Sequence, residues 1–122
     1  MGVFTDAGKN VLLDQIDGLG WYAAPFNGDP ASGGTEESSD TTEGRIILDS
    51  KLGSASSGTV SNTTAITWTA TATITVDYIA IFDAASGGNL VASDDVTSQT
   101  VNSTETLSIP VGDLDFILAN PA

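Results

Sequence analysis

The stretch that decides the fold is Thr73–Leu90, TITVDYIAIFDAASGGNL. Ile74, Val76, Tyr78, Ala80 and Phe82 alternate with Thr75, Asp77, Ile79, Ile81 and Asp83, and a period of two specifies a β-strand. The second half is apolar on both faces, the pattern of a strand covered on both sides. Ser86-Gly87-Gly88-Asn89 then supplies residues that tolerate positive φ, and Leu90-Val91 opens a further apolar run, so the stretch reads as a β-hairpin. This hairpin is expected at the centre of one all-β domain.

Working outward, Asn89–Val96 and Ser98–Val101 read as two short strands. Asn102-Ser103-Thr104 is a turn, Thr106–Pro110 alternates, Gly112-Asp113 turns again, and Leu114–Leu118 forms the last strand. On the other side, apolar and hydroxyl residues alternate over Thr59–Thr69, with Ile66 and Trp68 on one face and a break near Ala70–Ala72. Gly44–Asp49 is a short strand. Trp21–Phe26, WYAAPF, is an aromatic strand that Pro25, lacking a donor, assigns to a sheet edge or a strand end. Asn27–Thr42 is a long polar loop, expected to be exposed and either flexible or functional.

Thr5 is a fitting N-cap, Asp6 suits the first turn, and Ala7, Gly8, Val11, Leu12, Ile16 and Leu19 fall at helical spacing, which predicts one short helix over about residues 6–17. With about eight short strands, the expected architecture is a two-layer β-sandwich of Greek-key or jelly-roll type with this N-terminal helix. The expectation is a single domain over 1–122.

Sixteen acids face three bases, Lys9, Arg45 and Lys51, for a formal charge of −13; twelve of the acids are Asp. Three cations cannot assemble a phosphate-binding patch, so neither nucleic acid nor an anionic membrane is an expected partner. The acidity suits a self-repelling soluble surface. The abundance of Asp and Thr and the scarcity of Lys favour adaptation to molar salt, where the Debye length shrinks to about 3 Å. No stretch approaches the roughly 18 apolar residues of a membrane span, and MGVFTDAGKN lacks the pattern of a leader, so a soluble, unprocessed chain is expected.

The chain has no histidine and no cysteine. It therefore lacks the commonest general base, the commonest transition-metal ligand and any thiolate site, and no enzyme activity or cofactor is expected. Asp113 with Asp115, and Asp94 with Asp95, are weak candidates for calcium; neither lies in a loop shaped to give six to eight oxygens, and solvated turn acids are the simpler reading. Asn62-Thr63-Thr64 and Asn102-Ser103-Thr104 match glycosylation acceptors, a pattern that arises readily by chance in a Ser- and Thr-rich chain.

Several phrases in order, FTDAGKNVLLDQI at 4–16, NGDP at 27–30, SNTTAITW at 61–68, IAIFDAASGGNL at 79–90 and TVNSTETLSIPVGDL at 100–114, resemble a family of small virion proteins of tailed phages, commonly labelled tail fibre or minor tail protein. The resemblance covers most of the chain. It implies a non-enzymatic virion component, and with the acidity a haloarchaeal or marine host. Without heptads or fibrous repeats the chain cannot form a long fibre alone, so the leading expectation is a homo-oligomer decorating the capsid shell or its vertices and contacting other virion proteins. The alternatives are a tail, baseplate or fibre-associated structural protein and a module binding host-surface glycan or S-layer. Expected interface residues are Val3, Phe4, Trp21 and Tyr22, with the 27–42 loop.

Overall fold

A computed structural model describes residues 5–118. Among these residues, nine strands and one α-helix follow in the order α1 (Asp6–Asp14), β1 (Tyr22–Asn27), β2 (Thr35–Glu36), β3 (Ile46–Ile47), β4 (Thr59–Ser61), β5 (Ile66–Thr69), β6 (Ile74–Phe82), β7 (Leu90–Val101), β8 (Thr106–Ile109) and β9 (Asp115–Ile117). β1 pairs antiparallel with β2, β3 and β6, β4 with β9, and β6 with β7, and the class is the all-β sandwich with one short helix that the sequence predicts. The chain clusters into two compact units, one of residues up to Leu19, Leu48–Ile66 and from Ile109, the other of Gly20–Ile47 and Thr67–Ser108.

The second unit is organised on the central hairpin. β6 is flanked by β1 and β7, and β1 carries β2 and β3 on its far side, giving a five-stranded sheet. Consecutive burial of Ile79, Ala80 and Ile81 matches the apolar double face of the sequence. Ala24, Phe26 and Ala80 form a buried cluster against which Tyr78, Phe82 and Leu90 pack, and the Phe26 and Phe82 rings stack at 5.8 Å. Trp68 is wholly buried and donates its indole N–H to Gly44 O at 2.7 Å, satisfying the polar end that burial would otherwise strand.

Two expectations are corrected here. β1 is an interior strand, not an edge. Pro25 is tolerated because β3 pairs with Tyr22 and Ala23 and β2 with Phe26 and Asn27, leaving a gap at Pro25; its carbonyl faces that gap and accepts from Glu37 N at 2.9 Å. Residues 90–101 form one twelve-residue strand rather than two. The break expected near Thr97 is a β-bulge: β7 advances from Asp95 to Gln99 while β6 advances only from Tyr78 to Val76.

The 27–42 segment is ordered by hydrogen bonds. Gly28 N donates to Asp77 Oδ1 at 2.6 Å, and Asp29 caps a 3-10 turn by accepting from Ala31 N at 2.9 Å.

In the first unit, Thr5 caps α1 by accepting from Gly8 N at 3.2 Å. The helix stops at Asp14, short of residue 17, and turns onward to Gly18. Its buried side is Lys9 and Leu13, joined by Ile16 in the following turn, while Val11, Leu12 and Leu19 stay exposed. Polar tethers set this orientation: Asn10 accepts from Gly58 N, Asp14 from Ala55 N and Asp17 from Ser50 N. They turn the Asn10–Asp14–Asp17 side toward the 50–58 segment, overriding the apolar stripe. The alternation over 59–69 is divided into β4 and β5 by Asn62, whose side chain is buried and fully engaged. Its Nδ2 donates to Thr64 O and Pro110 O at 2.9 and 3.0 Å, and its Oδ1 accepts from Gly112 N and Leu114 N, both at 3.0 Å. The Asn62 triplet is therefore a structural element, not an accessible glycosylation acceptor.

Candidate functional site

The second unit presents two features, a bare strand and a polar cleft. Among the described residues β7 pairs only with β6, so its other edge has no strand partner there, and every residue from Val91 to Thr100 is exposed. A sheet strand normally covers at least one face. Here residues on both faces are exposed, and one edge carries no strand partner among the described residues, although Asp95 N donates to the Asp94 side chain at 2.9 Å. The composition, VASDDVTSQT, is rich in β-branched and hydroxyl residues suited to strand pairing. Asp94 and Asp95 sit opposite Ile79 and Tyr78, placing one acid on each face. Burial first, then the charges of Asp29, Asp95, Asp77 and Asp94, raise the Tyr78 hydroxyl above its usual range.

The cleft lies beside Arg45. The Arg45 fork donates from Nε to Glu36 Oε2 at 2.9 Å and from Nη2 to Glu36 Oε1 at 2.8 Å, and Nη1 donates to Ala84 O and Gly87 O at 2.9 and 2.8 Å. Its guanidinium carbon stands 3.8 Å from the Phe82 ring centre. Hydrogen bonding to Arg45 is the main cause that holds the Glu36 carboxyl below its usual range, against the opposing effect of burial; Glu36 in turn raises Arg45. The hairpin loop is fixed from within: Asp83 accepts from Asn89 N at 2.7 Å and from Asn89 Nδ2 at 2.9 Å, which lowers the Asp83 carboxyl. Gly88 has φ +74°, and a Cβ there would meet Asp83 Oδ1 at 2.5 Å, so glycine is required. Between this loop and the 36–45 segment lies a cleft of about 380 Å³ lined by Glu36, Ser38, Ser39, Arg45, Ser86 and Gly87 among others. Ser38 is buried, and its hydroxyl lies near enough to help lower Glu36, yet it has no partner at hydrogen-bond geometry.

The residues singled out from the sequence are scattered. Asp113 lies in a turn and Asp115 on β9 of the first unit, where it accepts from the Ser61 hydroxyl; Asp94 and Asp95 lie on β7 of the second. Among the described residues no three carboxylates gather as a metal site. Trp21 and Tyr22 are half-buried at the start of β1, where Tyr22 pairs with Ile47 and Phe82. Val3 and Phe4 lie outside the described residues. Sequence reading missed the Arg45–Glu36–Ser38 group; the signal available was that a chain with three bases places its one arginine beside a strand and close to the acid-rich 36–43 segment.

Comparison with known proteins finds a family, described as Podophage GP4 fiber I protein gp80, that matches residues 18–117. No curated protein matches the chain. The match favours the tail-associated structural reading over decoration of the capsid shell. With most of its length covered, the chain belongs to the Podophage GP4 fiber I protein gp80 family and is a virion component of a tailed phage.

Proposed function

We propose that this protein is a non-enzymatic structural part of the tail fibre apparatus that assembles as a homo-oligomer through β7. The observation that carries the reading is the bareness of β7, ten successive strand residues exposed beside an unpaired edge. An open edge templates pairing with another chain. Pairing an added strand, and packing apolar side chains such as Val91 and Val96 against it, would cover that surface. Membership of a fibre family supports placing the assembly at the tail.

Two measurements test this reading. Gold-labelled antibody on purified virions should mark the tail; label spread over the capsid shell overturns the location. Hydrogen exchange on the purified protein should show amides of 91–100 gaining protection as concentration rises, together with an increase in mass by light scattering. A monomer whose 91–100 amides exchange freely at all concentrations overturns the assembly.

A further inference from the structure

We propose that Asp94 guards the edge of β7 that has no strand partner among the described residues, its side chain occupying a backbone donor that a second copy has to use. The inference rests on the assembly proposed above and adds its regulation. Pro25 fixes which groups face outward. Its carbonyl turns away from β6 to accept from Glu37 N, so in the Pro25–Ile79 pair both residues direct their backbone groups away from each other. Ile79 therefore addresses its β7 partner, Asp94, and in the next pair, Tyr78–Asp95, the directions reverse. The Asp95 N–H thus points out from the edge, near the middle of Leu90–Val101 and beside the bulge. It is already taken: the Asp94 carboxylate accepts from it at 2.9 Å.

An unpaired strand edge invites uncontrolled pairing, and a side chain bonded to its neighbouring backbone competes with that ladder. A second copy laid along β7 gains the Asp95 donor only by displacing the Asp94 oxygen. Charge adds to the cost. Two copies related by a two-fold axis, and overlapping over most of β7, bring the Asp94 and Asp95 carboxylates of both chains together near the strand midpoint. Like charges facing each other across a strand pair oppose pairing. The bulge bends the same stretch, a further device that blunts an edge. The result is a threshold on assembly: single copies stay apart in dilute solution, and pairing sets in where copies are held side by side at high local concentration.

Three substitutions at these exposed positions separate the two effects. Asp94→Ala removes the bonded oxygen and the charge, Asp94→Asn keeps an accepting oxygen without the charge, and Asp95→Asn removes the neighbouring charge alone. Self-association of the full chain is measured by analytical ultracentrifugation, with hydrogen exchange locating the contact. In dilute buffer Asp94→Ala should associate about tenfold more tightly than wild type, with the added protection at 91–100, and both asparagine variants should fall between. In 1 M sodium chloride, where the Debye length is about 3 Å, the asparagine variants should converge on wild type while Asp94→Ala stays about threefold tighter. In the monomer, the Asp95 amide should exchange more slowly in wild type than in Asp94→Ala. Equal association of Asp94→Ala and wild type, with 91–100 still gaining protection as concentration rises, overturns the guard and leaves the β7 assembly standing. Asp94→Asn as tight as Asp94→Ala under both salt conditions overturns the role of the hydrogen bond. Absence of protection at 91–100 in every variant overturns the assembly and the guard with it.

Discussion

Asn62→Leu is expected to destabilise the first unit by about 3 kcal/mol. Leucine keeps the Cγ branch and heavy-atom count of asparagine, so no cavity opens, and its bulkier methyl groups add some overpacking to the loss of hydrogen bonding at this buried position. The substitution removes four side-chain hydrogen bonds, to Thr64 O, Pro110 O, Gly112 N and Leu114 N. Two of those partners keep another bond: Gly112 N also donates to Asn62 O, and Pro110 O also accepts from Asp113 N. Thr64 O and Leu114 N lose the partners that Asn62 provides. Thr64 is exposed and Leu114 half-buried, so water can take over part of what Asn62 provides; four hydrogen bonds at a net value of roughly 0.5–1.5 kcal/mol each, offset in part by the apolar gain of leucine, yield the estimate. For a chain of this size that corresponds to a fall of about 10 °C in melting temperature. All four Trp and Tyr residues lie in the second unit, so fluorescence is the wrong probe. Hydrogen exchange with mass spectrometry is the right one, and loss of protection should centre on 59–61 and 110–117. A destabilisation below about 1 kcal/mol, or loss of protection confined to 74–101, would refute the hydrogen-bond argument.

Arg45→Lys should destabilise the second unit by about 2 kcal/mol despite keeping the charge, because an ammonium cannot bridge Glu36 bidentately while reaching Ala84 O and Gly87 O; urea denaturation followed by tryptophan fluorescence measures it. Glu36 gives a pH dependence whose sign follows from its lowered carboxyl: the stabilisation is present above the unfolded carboxylate value of about 4.3 and is lost as pH falls through the lower folded value. Glu36→Gln should remove that component from an acid titration of stability, and an unchanged acid profile would show that the pair contributes nothing. Adaptation to salt predicts that thermal stability rises as sodium chloride is increased to molar levels; equal stability in dilute buffer refutes it.

The parts of the fold legible in the sequence are those where burial follows a simple period. The Ile74–Phe82 alternation, its apolar second half and the Gly-Gly turn gave β6, the loop and the start of β7, because sheet burial imposes that pattern directly. Pro25 misled because the rule against interior proline assumes a continuous neighbour, whereas β2 and β3 leave a gap at that position. The helix face misled because polar tethers outweighed a weak apolar stripe. The Asn62 triplet reads in the sequence only as a chance match to an acceptor pattern, and the structural role of Asn62 is not legible there because three of its four partners lie 48 to 52 positions away. The Arg45 cleft was hidden for the same reason: its walls come from segments about forty positions apart.

The carboxylates that tether α1 belong to a wider habit of this chain. Asp14, Asp17, Asp29, Glu43, Asp49, Asp77, Asp83, Asp94 and Glu105 each accept a backbone N–H. Much of the acidity thus serves as a stock of acceptors for turns and irregular segments that no sheet ladder can satisfy. Charge and architecture are consequently separable. Asparagine and glutamine at these nine positions retain the accepting oxygen while discarding the negative charge, so a version of the same fold with a formal charge of about −4 instead of −13 is accessible to design. Lysine at the same positions would keep the solubility and dismantle the turns.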